Sequence, residues 1–244
     1  MRLFAVVLAA LALLIAVYKS IYSTTSYRVR LTLNVETPQG LKTGSGVIEV
    51  TTRSYPAWTT LGGSTGSTWV TGDAVFVDLG EGPGGNARYL IALLVRGKRG
   101  RDVDFYLLPT IAFKHFLKGD DRVSGSVEVS RLPIGTTAAL FGDLIPTLVT
   151  FLDLRDPSSA RVVPPDNLAQ TFGDGFRMRD VFIEIVSPGV WPLTLVGLTG
   201  EPISSVAEAT IPQIMARLRE NVKVSRGRRV DDPYTPSLGQ FTRY

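Results

Sequence analysis

Residues 27–36 alternate strictly between apolar and polar side chains. The apolar set is Tyr27, Val29, Leu31, Leu33 and Val35, and the polar set is Arg28, Arg30, Thr32, Asn34 and Glu36. Because side chains on a β-strand point alternately to its two faces, this pattern predicts a strand with one buried face. The turn sequence Thr37-Pro38-Gln39-Gly40 and a run rich in β-branched residues at 46–53 follow directly, which predicts a hairpin.

Similar segments recur along the chain at intervals of about ten residues, with turn residues between them. We expect further strands at residues 74–79, 87–96, 103–108, 123–132, 146–152 and 181–186. Residues 58–72 are dominated by glycine, serine and threonine, and they predict a long surface loop. The sequence therefore predicts a mainly β fold, an antiparallel sandwich or open barrel with a few short helices.

Three segments have helical rather than strand spacing. Residues 110–118 predict a short helix, and residues 166–172 predict one or two helical turns with Asp166 as the N-cap. The longest predicted helix begins at Pro202 or Pro212 and ends before Asn221. Its apolar residues fall at helical spacing: Ile211, Ile214, Met215 and Leu218.

The N-terminus has the features of a secretory signal or a membrane anchor. Arg2 precedes an apolar run at residues 3–17, and the segment extended to Tyr22 reaches the roughly 20 residues that cross a bilayer. Small residues at the −3 and −1 positions of a cleavage site are missing near the end of the run. We therefore expect an uncleaved transmembrane helix at residues 3–22, with a cleaved signal peptide as the alternative.

The predicted anchor divides the chain into three parts. We expect an anchor at residues 1–23, a β-rich extracytoplasmic domain at residues 24–223 and a polar, basic, irregular tail at residues 224–244. The expected location is the bacterial inner membrane, with one span and the soluble domain in the periplasm. Lys19, Arg28 and Arg30 follow the segment, so the distribution of positive charge does not fix its orientation.

Composition excludes several classes of site. The chain has no cysteine, which excludes disulfides, thiolate metal sites and a lipid-modified cysteine. A net charge of +4 is too small an excess to predict a nucleic-acid partner without a clustered basic face. His115 is the single histidine, so a metal site with several histidines is excluded, and no G-x-S-x-G motif supplies a serine for a catalytic triad.

A formal G-x-G-x-x-G motif begins at Gly80 and ends at Gly85. A dinucleotide-binding motif needs a helix after the glycines, because the amides of its first turn bind the pyrophosphate. Residues 87–96 are apolar without a polar face, which is typical of a buried strand. The glycines therefore predict a hairpin turn, and no cofactor is expected.

Charged clusters offer only weakly specific sites. The acidic pairs Asp120-Asp121, Asp153 with Asp156, and Asp231-Asp232 lack the spacing of a calcium loop, which indicates turns and helix caps instead. No catalytic, cofactor-binding or metal-binding residue is predicted. The basic residues Lys98, Arg99 and Arg101 are candidates for contact with lipid headgroups or a partner, or for a solvated hairpin tip.

Two stretches resemble uncharacterised proteobacterial membrane-anchored or exported proteins. They are the sequence Gly44-Ser45-Gly46-Val47-Ile48-Glu49-Val50 and residues 145–153 followed by Asp156-Pro157. The resemblance implies a bacterial source and carries no assigned activity.

The anchor, the β pattern and the lack of catalytic motifs together predict a membrane-tethered, non-enzymatic binding or structural module of the cell envelope. Its expected partners are the bilayer, through residues 3–22, and another envelope protein. Two alternatives stay open: a subunit of a larger membrane complex, and a carboxylate-dependent hydrolase that acts on envelope glycan. Spacing along the sequence cannot test the second, because any chain with 22 acidic residues contains candidate pairs.

Overall fold

The computed structural model describes residues 4, 23–55, 66–82, 87–96, 103–119, 121–190, 193, 197–222 and 237–243. The strands are β1 (Thr24–Thr37), β2 (Gly40–Ser54), β3 (Gly66–Asp73), β4 (Val75–Glu81), β5 (Ala87–Arg96), β6 (Val103–Asp104), β7 (Thr137–Ala139), β8 (Pro146–Phe151), β9 (Ala160–Val162), β10 (Arg177–Val186) and β11 (Thr242–Arg243). The α-helices are α1 (Leu108–Ala112), α2 (Arg122–Val129), α3 (Ala169–Phe172), α4 (Ala207–Thr210), α5 (Pro212–Val222) and α6 (Leu238–Phe241).

The strands form two antiparallel sheets. In the first sheet the order is β11-β3-β2-β1-β10-β7, and in the second it is β4-β5-β8-β9 with β6 paired to β5. The predicted hairpin of β1 and β2 is confirmed, with Thr37 paired to Gly40 at its turn. Only Ala74 separates β3 in the first sheet from β4 in the second, so the chain passes directly from one sheet to the other. The predicted mainly β fold is confirmed.

The main core lies between the two sheets. The inward residues of β1 are those that the alternation predicted, and all five are buried: Tyr27, Val29, Leu31, Leu33 and Val35. They pack with inward residues of the second sheet, including Leu90, Ala92 and Leu94. Burial of apolar surface contributes about 25 cal/mol per Å² removed from water, so this shared layer stabilises the packing of one sheet on the other.

A second core covers the other face of the second sheet. Ile91, Leu93 and Val95 of β5 point away from the first sheet and are buried against the C-terminal helices. The helical contacts come from Ile211 and from α5 and α6: Ile214, Met215, Leu218 and Phe241. Because both faces of β5 are buried, residues 90–95 are apolar without interruption. The fold thus has three layers, sheet on sheet with helices outside.

The outer face of the first sheet is polar and carries the connection to the C-terminal helices. Arg28 pairs with Glu49 at 2.9 Å, and Arg30 pairs with Glu184 at 3.0 Å and with Glu201 at 2.8 Å. Arg28 also donates to the Glu201 carbonyl oxygen at 2.6 Å. These contacts hold the segment after β10 against the sheet.

Several predicted elements are wrong. Residues 123–132 form α2 and the turn after it instead of a strand, because the Asp121 carboxylate caps the helix by accepting the amides of Val123 and Ser124 at 2.9 and 3.0 Å. The strand predicted at residues 103–108 ends at Asp104, and Pro109 lies in the first turn of α1. The loop predicted at residues 58–72 contains most of β3.

The structure describes most of the last residues of the chain but almost none of the predicted anchor. The predicted anchor at residues 3–22 lies outside the described residues except for Phe4, and among the described helices none is long and apolar enough to cross a bilayer. The anchor stays a prediction. At the other end, residues 238–243 form α6 and β11 rather than an irregular tail, and the Phe241 side chain is fully buried.

Candidate binding groove

An apolar groove of about 750 Å³ opens where the two sheets separate at one side of the sandwich. That volume lies within the range of protein ligand pockets, roughly 300–1,000 Å³. The apolar groove is lined by Leu140, Phe141, Gly142, Asp143, Ile145, Pro146, Thr147, Leu148, Val162, Val163, Pro164, Pro165, Asp166, Met178, Arg179, Asp180 and Val181.

The groove exists because both sheets end in short strands on this side. β7 and β9 are three residues each and form the edges of the first and the second sheet. After β7 the chain turns through Phe141 and a 3-10 turn (Gly142–Leu144) into β8, which leaves the space between the two edges unfilled. Phe141, 75% exposed, and Val162 present apolar side chains to solvent at its margin.

One wall of the groove is an uncovered strand edge. β7 pairs with β10 at Phe182, Ile183 and Glu184, and the Leu140 amide donates to the Val181 carbonyl oxygen at 2.8 Å. Beyond that bond, no strand in the described part of the chain pairs with β10 on this side. Residues 178–180 line the groove at this edge. Met178 and Asp180 pair with β1, and Arg179, at the register shift between them, has no partner in that pairing. An uncovered edge next to an apolar groove can pair with an extended polypeptide.

Charged groups at the groove are mainly acidic. Asp143 and Asp166 line it together with one cation, Arg179. The Asp180 carboxylate lies on the outer face of the first sheet, where Asn34 donates to it at 2.6 Å and Arg179 lies 3.7 Å away. The groove therefore combines apolar walls with a margin that favours a ligand carrying positive charge.

The basic residues predicted as headgroup or partner contacts, Lys98, Arg99 and Arg101, lie outside the described residues. They join two described residues, Arg96 of β5 and Val103 of β6, that pair with each other. Their role as contacts stays a prediction.

The glycine motif lies at the hairpin that the sequence predicted. β4 and β5 on its two sides pair antiparallel, with Val75 opposite Ala92 and Val77 opposite Leu90. Gly80 has a φ of 84°, and its amide donates to the Asp78 carboxylate at 2.8 Å. Because a strand and not a helix follows the glycines, no helix N-terminus is available there for a pyrophosphate.

In the predicted acidic pairs, the members that the structure describes bond to residues next to them in the chain, as predicted. Asp121 caps α2, the Asp153 carboxylate accepts the Arg155 amide at 2.8 Å, and the Asp156 carboxylate accepts the Ser158 amide at 2.8 Å. No group of three or more acidic or histidine side chains within the described ranges is placed to hold a metal ion. His115 lies exposed in a 3-10 turn, with its ring 3.9 Å from that of Phe116.

Every carboxyl group with a shifted pKa in the described ranges is shifted downward. Hydrogen bonds lower the pKa of Glu36 through Arg177, of Asp121 through Ser124, of Glu128 through the Lys118 amide and of Asp156 through Ser158. None of these four described groups lines the groove. A general acid needs the opposite shift, which burial or a second carboxylate would supply.

Two buried polar groups lie away from the groove. The Asp73 carboxylate accepts the Ala207 amide at 2.8 Å and so anchors the start of α4 to the end of β3. Burial raises the pKa of the Tyr27 phenol far above its usual value, and the nearby Ser126 hydroxyl offsets only part of that rise. Neither Asp73 nor Tyr27 lines the groove.

In comparisons with known proteins, no family model matches the chain, and no curated protein or solved structure is significantly similar to it. The function has to be inferred from the chain itself.

Sequence reasoning did not find the groove. Its walls come from three segments that are far apart in the chain, residues 140–148, 162–166 and 178–181. The available signal was the apolar residue Phe141 followed by Gly142, outside any periodic pattern. That signal indicates a loop but not the neighbours that make it a groove.

Proposed function

We propose that this chain is a membrane-tethered, non-enzymatic binding module of the bacterial cell envelope. In this proposal residues 3–22 anchor it in the inner membrane and the β-rich domain lies in the periplasm. The domain binds an extended, apolar segment of another envelope protein in the apolar groove. The segment pairs with the uncovered edge of β10 and places alternate side chains between the two sheets.

The observation that carries this proposal is the coincidence of an apolar groove with an unpaired strand edge. A groove alone would suit many small apolar molecules. Arg179 lines the groove at this edge and has no partner in the pairing with β1, so its main-chain groups can bond to an extended backbone that continues the pairing of β7. The surplus of carboxylates at the margin favours a segment with basic residues next to its apolar ones.

Selection of peptides from a random display library tests the proposal. The full-length chain in detergent is the bait, and Val162→Asp is the variant because Val162 is a partly exposed groove residue whose carboxylate would oppose an apolar ligand. Leu198→Asp is the matched control, since Leu198 is exposed and does not line the groove. We expect enrichment of peptides with alternating apolar residues that bind the wild type and the control but not Val162→Asp. Equal binding to all three proteins, or no enrichment, would count against the proposal.

In the alternative in which the chain is a subunit of a larger membrane complex, the partner is bound permanently rather than transiently, and the same experiment tests it. The hydrolase alternative stays open as a prediction, and its support is the presence of Asp143 and Asp166 at the groove. A glycosidase needs one of two carboxyl groups to stay protonated as a general acid. Release of reducing ends from envelope glycan by the wild type, lost in Asp143→Asn or Asp166→Asn, would favour the hydrolase over the binding module.

A further inference from the structure

The first sheet begins directly after the predicted anchor. Ser23 is tied to the sheet, because the Ser54 amide donates to its carbonyl oxygen at 2.9 Å and the two hydroxyl groups lie 2.5 Å apart. The predicted anchor ends at Tyr22, and one extended residue spans at most about 3.6 Å. A helix that ends at Tyr22 therefore leaves no flexible linker between the membrane and this end of the sandwich.

A helical cap, residues 105–132, covers the same end of the sandwich. Ser126 of α2 lies 2.9 Å from the Thr52 hydroxyl, two residues from the end of β2. A Cβ built on Gly66, the first residue of β3, would lie 2.9 Å from the Val123 side chain. α1 packs on α2, since a Cβ on Gly125 would lie 3.4 Å from Thr110. The cap is thus placed next to the residues where the chain enters the sheet.

The cap and the turn after it expose large apolar side chains. Ile111 and Phe116 are exposed on the cap, and Ile134 is exposed in the following turn. That turn is fixed at the same end of the first sheet, because the Gly135 amide donates to the Ile185 carbonyl oxygen at 2.8 Å and Ile185 pairs with Val29. No other described part of the chain covers these exposed apolar side chains.

Basic side chains alternate with these apolar ones. Lys114 and Lys118 flank Phe116 and are exposed, and Arg131 is exposed after α2. The described carboxylates of the cap are engaged locally: Glu128 accepts the amides of Lys118 and Gly119, and Asp121 caps α2. Aromatic and aliphatic side chains next to lysines suit the headgroup region, where apolar atoms enter the boundary and the ammonium groups reach phosphates.

We propose that this end of the sandwich rests on the bilayer, with Ile111, Phe116 and Ile134 in the headgroup region and Lys118 on a lipid phosphate. The inference rests on the proposed tether at residues 3–22. It adds an orientation: the cap faces the membrane, and the hairpin between β1 and β2 points away from it.

The depth of single labelled positions tests the orientation. The chain has no native cysteine, so Phe116→Cys, Ile134→Cys and Leu41→Cys each accept one environment-sensitive fluorophore. Leu41 is the matched control, because it is 48% exposed, as Phe116 is, and lies at the opposite end of β1 beside the hairpin turn. The full-length protein is placed in vesicles of phosphatidylcholine and phosphatidylglycerol with a nitroxide-labelled headgroup lipid as quencher. Circular dichroism confirms that each variant is folded.

We expect the emission from positions 116 and 134 to be lost to the quencher and the emission from position 41 to be retained. Protein that floats with the vesicles but is quenched equally at positions 116 and 41 would overturn the orientation and leave the tether intact. Protein that does not float with the vesicles would overturn the tether and, with it, the orientation.

Discussion

Replacement of Phe241 by alanine tests whether the last residues of the chain are part of the core. The Phe241 side chain is 0% exposed and lies in the second core, with its ring 6.0 Å from that of Phe151. The Phe241 carbonyl oxygen also accepts the amide of Ala74, the residue that links β3 to β4, at 2.6 Å. Removing a fully buried phenyl ring costs about 3–5 kcal/mol, because both the transfer free energy and the contacts around the cavity are lost.

Thermal and urea unfolding of a chain that begins at Ser23 measures this cost. For a domain of this size each kcal/mol lowers Tm by roughly 2–4 °C, so Phe241→Ala should lower it by about 10 °C. Phe141→Ala is the matched control, since the same atoms are removed from a side chain that is 75% exposed, and surface changes usually stay within about 0.5 kcal/mol. A loss below about 1 kcal/mol for Phe241→Ala would refute the assignment of this segment to the core.

Three further predictions concern single positions. Gly44→Ala should lower the free energy of unfolding, measured in urea, by about 1–3 kcal/mol, because the added Cβ would clash with the Phe76 carbonyl oxygen of the other sheet. Gly239→Ala is the control and should not lower it, because no atom lies within 4 Å of the Cβ added there. The hydrogen bonds that lower the pKa of Asp121 stabilise the fold at pH values above 3.8, the ordinary pKa of the group, and this stabilisation is lost as the pH falls through the folded pKa. The urea midpoint of Asp121→Ala should therefore lie below that of the wild type at neutral pH, and the difference should shrink below the folded pKa. A difference that does not depend on pH would contradict this reasoning. Calorimetric titration with NAD should give no heat, because a strand follows the glycine motif, and micromolar binding lost in Gly82→Ala would contradict this.

The strands that carry a two-residue alternation or a continuous apolar run could be predicted from the sequence. β1 buries the residues that alternate, and residues 87–96 form β5 with the predicted bounds. These patterns work because each records how many faces of a strand are buried. A different local signal, a proline at the first helical position, predicted that the longest helix begins at Pro202 or Pro212, and α5 begins at Pro212.

The helical cap was predicted only in part: the short helix predicted at residues 110–118 overlaps α1 and the 3-10 turn Lys114–Phe116, but α2 was missed because its local pattern is ambiguous. Residues 123–132 alternate as a strand would, yet the decisive features are the Asp121 cap and the small residues Gly125 and Ser126. Those small residues let α2 approach α1 and Thr52 closely, which is a property of its neighbours and not of its own periodicity. β3 was missed for a similar reason, since Gly66 packs against the Arg53 carbonyl oxygen and Val123, where a side chain would not fit.

Exchange of the backbone amide hydrogen of Arg179 tests the proposed binding mode most directly, because Arg179 lines the groove and has no partner in the pairing of β10 with β1. The full-length chain is compared with and without a selected peptide, and the amides of the hairpin turn at residues 39–41, outside the groove, serve as the reference. If the peptide adds a strand to β10, exchange at Arg179 slows while exchange at the hairpin turn does not change. Unchanged exchange at Arg179 with the peptide bound would contradict strand addition in the apolar groove.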